Sequence, residues 1–223
     1  MKAMILAAGR GERMGALTDT TPKPLLKVAG KALIEHCIEN LAQAGFKELV
    51  INLSHLGQQI KDFCGDGSRW NLRIAYSDEG PIALETAGGI SHALPLLGDQ
   101  PFLVINADII CAYPLRSLRQ KSFDLAHLVL IDNPAHHPTG DFSLGPNQQL
   151  NQHGQQKFTF SGIGLYHPDL FKEISPGPLK LRPVLEQAIL ANRISGEHYQ
   201  GLWMDIGTPE RLAEIDHLLK LDR

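Results

Sequence analysis

Short apolar runs alternate with helical patterns along the first half of the chain. Runs typical of buried strands occupy residues 4–8, 46–53, 72–76, 102–106 and 125–131. Apolar residues at helical spacing predict helices over residues 31–44, 57–64 and 86–97. Gly45 is a natural stop for the first of these helices. Strands that alternate with helices favour an α/β fold, with a mainly parallel central sheet and helices on both faces.

The second half of the chain has a less regular pattern. Shorter stretches of mixed polarity at residues 141–144, 148–150 and 157–166 predict strands of an inserted antiparallel layer. Further helices are expected at residues 169–174 and 183–192, and a strand at residues 198–203. Thr208 followed by Pro209 is typical of a helix N-terminus, with threonine as the capping residue and proline in the first helical position.

Composition narrows the class of protein. The formal net charge is −3 over 223 residues, which does not favour nucleic acid as a partner. The cysteines, Cys37, Cys64 and Cys111, are odd in number and contain no CxxC pair, so we expect reduced thiols and a cytoplasmic protein. No apolar segment is long enough for a signal sequence or a membrane span, so a membrane partner is not expected. Oligomeric state stays open, and a monomer fits these data.

A glycine-rich turn follows the first predicted strand, in the sequence LAAGRGERMG at residues 6–15. A dinucleotide fingerprint does not fit, because Met14 occupies the third glycine position and the second strand ends in NLSH, residues 52–55, without an acid. A purely structural turn is the simpler alternative. However, Arg13 and Lys23 lie close in sequence, and Pro22 and Pro24 restrict the backbone around the lysine. Backbone amides and fixed cations together suit a triphosphate.

Five motifs give the chain a family resemblance. They are LAAGRGERMG, PKP at residues 22–24, ETAGG at 85–89, FLVINAD at 102–108 and WMDIGTPERL at 203–212. In this order they resemble the sugar-1-phosphate nucleotidyltransferases, also called nucleotide-sugar pyrophosphorylases. The resemblance implies a three-layer Rossmann-like nucleotidyltransferase fold with a small antiparallel sugar-binding insertion. It further implies a single domain over residues 1–223, with a nucleotide-binding half at 1–110 and a sugar-phosphate-binding half at 111–223.

The same resemblance implies roles for particular residues. Arg13 and Lys23 are expected in catalysis, and Asp108 and Asp205 as ligands of Mg²⁺. Each aspartate follows a strand-like run, where a turn residue or a helix cap is the plainer interpretation. The expected nucleotide-binding residues are Ala8, Gly9, Gly11, Glu12, Arg13, Lys23, Glu85 and Gly88, and the expected sugar-phosphate contacts are Asn106 and Asp141. For Glu85, an exposed acid at a helix start is an equal alternative.

Three further stretches bear on the substrate. Residues 126–144, 158–166 and 195–203 resemble the branch of this family that transfers a uridylyl group from UTP to N-acetylmuramate 1-phosphate in peptidoglycan recycling. The sugar of that branch carries a lactyl carboxylate, for which Lys157, Lys180 and Arg182 are candidate cations. Ala87 stands where the branch has glycine, and its methyl group is predicted to narrow the approach of the base.

Several alternatives remain open at this point. The His136-His137 pair has no partner ligands at zinc spacing and is expected to face solvent. A mannose-1-phosphate guanylyltransferase, or another hexose-1-phosphate nucleotidyltransferase, is the alternative within the same class. A non-catalytic regulatory protein that binds sugar nucleotides is the alternative in a different class.

Overall fold

The structure, a computed structural model, describes residues 1–221. Its α-helices are α1 (Leu33–Gln43), α2 (Gly57–Cys64), α3 (Glu85–Leu97), α4 (Leu181–Leu190) and α5 (Pro209–Leu221). Its strands are β1 (Ala3–Leu6), β2 (Lys27–Val28), β3 (Lys31–Ala32), β4 (Glu48–Leu53), β5 (Arg73–Asp78), β6 (Phe102–Asn106), β7 (Ile109–Cys111), β8 (Ala126–Ile131), β9 (Ser143–Leu144), β10 (Leu150–Asn151), β11 (Thr159–Tyr166), β12 (Ile194–Tyr199) and β13 (Trp203–Asp205). None of the helices within residues 1–221 is long and apolar enough to cross a membrane.

Seven strands form the central sheet, in the order β12-β8-β11-β6-β1-β4-β5. All neighbouring pairs are parallel except those of β11, which runs antiparallel to both β6 and β8. Apolar side chains of the strands alternate between two faces. Helices α1 and α2 bury their apolar residues against one face, and α3 and α4 bury theirs against the other. The predicted three-layer α/β fold, with a mainly parallel sheet and small antiparallel pairs, is therefore confirmed.

The boundaries in the first half follow the hydrophobic pattern closely. The predicted helix at residues 57–64 and the predicted strand at residues 102–106 have the bounds of α2 and β6. Gly45 follows Ala44, the C-cap residue of α1, and has a φ of 88°, in the left-handed region that glycine reaches without steric cost. At the other end of the chain, the amide of Arg211 donates to the hydroxyl of Thr208, as the predicted cap requires.

The inserted antiparallel layer is smaller than predicted. Within residues 1–221, β9 and β10 form its two-stranded pair and a single antiparallel bridge joins Phe142 to Phe158, whereas β11 lies in the middle of the central sheet. The error has a physical origin in the hydroxyl groups of β11, which made the segment look half-exposed. Both hydroxyls are buried and satisfied, because Ser161 donates to the carbonyl of Val129 at 2.7 Å and Thr159 donates to Asn133 at 2.9 Å.

Two other predictions in the second half are wrong. Residues 169–174 contain no α-helix; a single short 3₁₀ turn, Pro168–Leu170, leads into a loop that contains Pro176, Gly177 and Pro178. The last central strand is Ile194–Tyr199 rather than residues 198–203, and Trp203 belongs to the separate strand β13. Gly196 explains why the true strand was missed, since a Cβ there would stand 2.9 Å from the carbonyl oxygen of Leu128, so the position requires glycine despite its weak strand propensity.

A third group of apolar residues joins the last helix to the start of the chain. Ile215 of α5 packs with Met14, Val28, Leu33 and Ile206. The amide of Ala29 also donates to the carboxylate of Asp216 at 2.7 Å. Helix α5 therefore holds the glycine-rich turn and the segment after β13 close to each other.

Candidate functional site

A cavity of about 660 Å³ opens at the carboxyl ends of β1, β4 and β6. This is the edge of a parallel sheet at which ligands collect in open α/β folds. Nine of the sequence-predicted residues line it: Ala8, Gly9, Gly11, Glu12, Arg13, Lys23, Glu85, Asn106 and Asp108. Gly207, from the segment after β13, closes one side of the cavity. Gly88, Asp141 and Asp205 are not part of its lining.

The glycine-rich turn forms the floor of the cavity beside Lys23. Gly11 has a φ of 71° and precedes a 3₁₀ helix at Glu12–Thr18. A Cβ at Gly11 would lie 3.1 Å from both Cβ of Lys23 and Cγ2 of Thr18, so the backbone there packs directly on the stem of the lysine. Around Gly9, by contrast, a Cβ would meet no atom within 4 Å. The turn therefore has one glycine required by packing and one that leaves space open in the cavity.

Lys23 and Asp108 form an ion pair at the cavity wall. Pro22 has an extended backbone and Pro24 occupies the first turn of a short 3₁₀ helix, Lys23–Leu25, so the backbone that presents the lysine is fixed. Only 10% of the lysine side chain is exposed, against 30% of the aspartate. The pair is held at the end of β6, where the aspartate projects from the sheet edge.

The two aspartates expected to bind metal are brought to adjacent backbone positions. Strand β13 pairs antiparallel with β7, so that Asp205 lies opposite Ile109. The amide of Ile206 donates to the carbonyl of Asp108 at 2.7 Å. Two aspartates that are nearly one hundred residues apart in sequence are therefore brought together through their backbones at one small two-stranded sheet. Asp108 lines the cavity, whereas Asp205 is outside that lining.

The carboxylate of Asp205 already has protein partners. Nη1 of Arg211 donates to its Oδ1 at 2.5 Å, and Nε2 of His136 lies 3.1 Å from the same oxygen. Lys23 engages only Oδ2 of Asp108. Within residues 1–221, Oδ1 of Asp108 and Oδ2 of Asp205 accept no hydrogen bond from a side chain or backbone group, and each carboxylate thus keeps one oxygen for a ligand.

The donor set suits a hard divalent cation that also binds substrate oxygens. In the part of the chain that the structure describes, no three His, Cys, Asp or Glu side chains converge into a self-sufficient metal site. Mg²⁺ is typically held in proteins by one or two carboxylates together with water and phosphate oxygens. Asp108 and Asp205 fit that pattern.

A network of hydrogen bonds in the cavity wall could not be identified from the sequence. Oδ1 of Asn52 accepts from the amide of Ala7 at 2.7 Å, and its Nδ2 donates to Glu79 at 2.6 Å. The other carboxylate oxygen of Glu79 accepts from the amide of Leu84 at 2.7 Å. Asn52 and Glu79 both line the cavity and fix the first glycine-rich turn relative to the start of α3. The signal for Asn52 was present, as a polar residue at the end of an apolar strand.

The residues of the ETAGG motif, at the start of α3, have different surroundings. Glu85 lines the cavity and has a φ of 58°, a left-handed conformation that is costly for a side chain of this type. Gly88 instead packs beneath the loop before α4, where a Cβ would stand 2.3 Å from the carbonyl oxygen of Gly177. Ala87 is fully buried in the core between α3 and the sheet. The prediction that its methyl group narrows the approach of a base is therefore wrong, because the methyl does not reach the cavity.

Asp141 lies further along the sheet edge. Its Oδ2 accepts from the amide of Phe160 at 2.9 Å, and its Oδ1 lies 3.2 Å from both Arg182 and His137. Strand β11 has a bulge after Phe160. The bulge places Gly162 against Asn106, since a Cβ added to Gly162 would stand 2.5 Å from Nδ2 of Asn106. Asp141 is therefore separated from the cavity by the bulge of β11 and by Asn106.

Two expectations about charged side chains can be compared with the structure. His136 and His137, predicted to face solvent, have side chains that are 42% and 37% exposed, and they also contact the carboxylates of Asp205 and Asp141. The three cations considered for a lactyl carboxylate do not line the cavity, and Arg182 is already paired with Asp141 and Glu186.

Comparison with known proteins is consistent with this geometry. A family model described as nucleotidyl transferase matches residues 2–220. The N-acetylmuramate alpha-1-phosphate uridylyltransferase of Neisseria meningitidis is 53% identical over 226 residues, covering 98% of each chain. An enzyme of the same name from Caulobacter vibrioides is 32% identical over 234 residues, covering 95% of this chain and 97% of its own.

A solved structure supports the fold independently. A putative glucose-1-phosphate thymidylyltransferase from Bacillus anthracis matches with a TM-score of 0.85, over 98% of this chain and 94% of that one. The two sequences are 23% identical, so the likeness concerns the architecture.

Proposed function

Because the chain belongs to the nucleotidyl transferase family, we propose that it transfers a uridylyl group from UTP to N-acetylmuramate 1-phosphate. The products are UDP-N-acetylmuramate and pyrophosphate. The observation that carries this proposal is the convergence of Lys23, Asp108 and the backbone of Asp205 at the rim of the cavity that contains the glycine-rich turn.

The reaction requires no protein nucleophile. A phosphate oxygen of the sugar 1-phosphate attacks the α-phosphorus of UTP, and the bond from that phosphorus to the bridging oxygen of pyrophosphate breaks. The protein has to align two anions that repel each other, and alignment alone supplies about 7–11 kcal/mol in favourable cases.

On the nucleotide side, the proposal assigns Arg13 and Lys23 to the triphosphate. Both line the cavity, and Arg13 makes no ion pair within residues 1–221, so its charge is available to phosphate. Backbone groups of Ala8 and Gly9 hold the base together with the segment at Glu85. Gly11 and Glu12 complete the turn, with Gly11 packed against the lysine.

Asp108 and Asp205 are proposed to hold one Mg²⁺ through the carboxylate oxygens that accept no hydrogen bond from residues 1–221. When bound, this ion would neutralise phosphate charge at the reacting centre. Asn106, which lines the cavity at the end of β6, is proposed to contact the sugar phosphate. Gly88 and Asp141 lie outside the cavity, so direct contacts of Gly88 with the nucleotide and of Asp141 with the sugar stay predictions.

The test is pyrophosphate release from a matrix of substrates. Purified protein with Mg²⁺ is incubated with each of UTP, GTP, CTP, ATP and dTTP, against N-acetylmuramate, N-acetylglucosamine, mannose and glucose 1-phosphates. We expect the highest kcat/KM for UTP with N-acetylmuramate 1-phosphate, by about tenfold or more over the next pair. Asp108→Asn serves as the control for chemistry at this site.

Each other outcome identifies a different function. A preference for GTP with mannose 1-phosphate would establish a guanylyltransferase and overturn the substrate assignment. Binding of a UDP-sugar without pyrophosphate release from any pair would indicate a non-catalytic sugar-nucleotide-binding protein.

A further inference from the structure

Arg211 of α5 lies between two cavities. Its Nη1 contacts Asp205 and His136 on the side of a second cavity of about 520 Å³, lined by residues 131–136, 199–201 and 203–205 among others. Its Nη2 packs against Gly207, where a Cβ would stand only 2.0 Å away. Gly207 lines the first cavity, the proposed site of transfer. The guanidinium therefore separates the two spaces.

Only one nitrogen of this guanidinium, Nη1, makes hydrogen bonds within residues 1–221. The side chain of Arg211 is 14% exposed, which is little for an arginine. Within residues 1–221, its hydrogen bonds from the side chain all come from Nη1, and Nη2 has no acceptor. A largely buried cation that leaves donors without a partner is typical of a group arranged for an anionic ligand.

A second guanidinium converges on the same point. Cζ of Arg13 would lie 3.3 Å from a Cβ at Gly207, so the guanidinium groups of Arg13 and Arg211 both lie next to this glycine. Arg13 comes from the glycine-rich turn, whereas Arg211 comes from α5. Two like charges this close repel each other, and an anion between them removes that cost.

The balance of charge differs between the two cavities. The second has three carboxylates in its lining, Asp132, Asp205 and Glu214, against Arg211. The first has four carboxylates, Glu12, Glu79, Glu85 and Asp108, but three cations accompany them, Arg10, Arg13 and Lys23. Arg211 is not itself in the lining of the first cavity, but its Nη2 reaches Gly207, which is. An anion is therefore favoured at Gly207, beside Arg13 and Nη2 of Arg211.

We propose that Arg211 is a substrate-binding residue that holds the phosphate of the sugar 1-phosphate, opposite the triphosphate held by Arg13. The inference rests on the proposed function. It gives the acceptor phosphate its own cation on the wall formed by α5, while Oδ1 of Asp205 keeps the guanidinium oriented. No residue of this wall was assigned to the acceptor phosphate from the sequence.

The test compares Arg211→Gln with Arg211→Lys, and uses Arg193→Gln as the matched control. Arg193 forms two hydrogen bonds of 2.8 Å with Asp124 at the opposite edge of the sheet, so that substitution removes a paired guanidinium away from the cavities. Folding is checked by circular dichroism. Arg211→Lys retains the positive charge and keeps the test valid if the glutamine variant does not fold.

Binding is measured first by calorimetry, in the presence of a chelator, with N-acetylmuramate 1-phosphate and with N-acetylglucosamine 1-phosphate, which lacks the lactyl group. In Arg211→Gln we expect both dissociation constants to rise by about tenfold to a hundredfold, as for loss of one charge-assisted hydrogen bond. Arg211→Lys should give a smaller rise, and Arg193→Gln none. In the steady state, the KM for the sugar 1-phosphate should rise while the KM for UTP changes less than about threefold.

The other outcomes overturn the inference in distinguishable ways. Weaker binding of the lactyl sugar alone would assign Arg211 to the carboxylate, and a raised KM for UTP alone would assign it to the triphosphate. Unchanged binding with a lower kcat and a higher Mg²⁺ requirement would show that Arg211 only positions Asp205. If wild-type protein released no pyrophosphate with any sugar 1-phosphate, the proposed function itself would fail, and this inference with it.

Discussion

Lys23, in the wall of the cavity, is nearly buried, and its charge is balanced by Asp108 at the end of β6. A buried cation of this kind is costly unless it is paired, so its presence at a cavity indicates a functional requirement for charge. The prolines on both sides fix the backbone that carries it.

Replacing this lysine should affect rate far more than folding. We expect Lys23→Ala to lower kcat/KM for pyrophosphate release by about a hundredfold or more, because a fixed cation next to the departing pyrophosphate is lost. Lys27→Ala, at an exposed position on β2, is the matched control and should keep near wild-type rates. A folded Lys23→Ala protein with wild-type kcat/KM would contradict the assignment.

Gly88, which packs outside the cavity, and Gly9, which lines it, should respond differently to the same substitution. Gly88→Ala places a Cβ 2.3 Å from a backbone oxygen, and we expect a loss of about 1–3 kcal/mol in the free energy of unfolding despite the better helix propensity of alanine. Gly9→Ala meets no atom within 4 Å and should change stability by less than about 0.5 kcal/mol. Urea titration of both variants measures these differences. Equal free energies of unfolding for the two variants would show that the loop before α4 moves without cost to make room for the added methyl group.

At the scale of elements, Glu197 links two strands to the segment before β8. Its carboxylate accepts hydrogen bonds from Tyr113 and from Lys121, and contacts the fully buried His127 of the neighbouring strand at 3.2 Å. The hydrogen bond from His127, followed by those from Lys121 and Tyr113, lowers the pKa of Glu197 to about 2. Unfolding returns this pKa to an ordinary value of about 4.5.

A depressed carboxylate pKa makes stability depend on acid. Because the folded state binds the proton less readily than the unfolded state, the contribution of Glu197 is complete above about pH 4.5 and is lost as pH falls towards about 2. We expect Glu197→Gln to be less stable than wild type at pH 6, and the difference to shrink between pH 4.5 and pH 2.5. Chemical denaturation at several pH values measures it. A difference independent of pH would show that the carboxylate charge is not what stabilises these contacts.

The elements also show what the sequence could and could not provide. The runs that became β6 and α2 are apolar in the pattern of their element, so local residues were sufficient to locate them. Strand β11 was misplaced because its buried hydroxyls are satisfied only by neighbouring strands, and β12 was shifted because Gly196 is required by a close approach across the sheet. Such long-range contacts cannot be inferred from local pattern.

The site divides in a similar way. Motif resemblance located Arg13, Lys23 and Asp108 at the cavity, as the structure places them. It did not show that Gly88 is a packing residue, nor that Asn52 and Glu79 support the floor. Arg211 was quoted within a motif but given no role, because its significance depends on which neighbours α5 brings to it. The roles of all these residues in catalysis stay predictions until the variants are measured.

At the scale of the whole molecule, the two halves proposed from the sequence share one sheet. Strand β6, before residue 111, pairs directly with β11, after it, and one continuous apolar core includes residues from both. Separate unfolding of residues 1–110 and 111–223 would break these backbone hydrogen bonds and expose that core. We therefore expect the halves to unfold together.

The two tryptophans provide a probe for each half. Trp70 packs against the apolar core, and Trp203 lies in β13 with its indole donating to the carbonyl of Ser161. In Trp70→Phe and in Trp203→Phe, the fluorescence transition of the remaining tryptophan in urea should coincide with the circular dichroism transition of the same protein. Separated midpoints in either variant would establish two independent folding units.

The reversed strand in the middle of the sheet has a consequence for how new specificities could arise. Since β11 enters the sheet at the edge where β6 and β8 leave it, the chain between β8 and β11, residues 132–158, forms an excursion that starts and finishes at the edge of the sheet on which the cavity opens. The excursion is tied to the site through His136, which contacts Asp205 and Arg211. We expect that exchange of the part after this histidine between homologous enzymes alters sugar selectivity while the turn after β1 is retained.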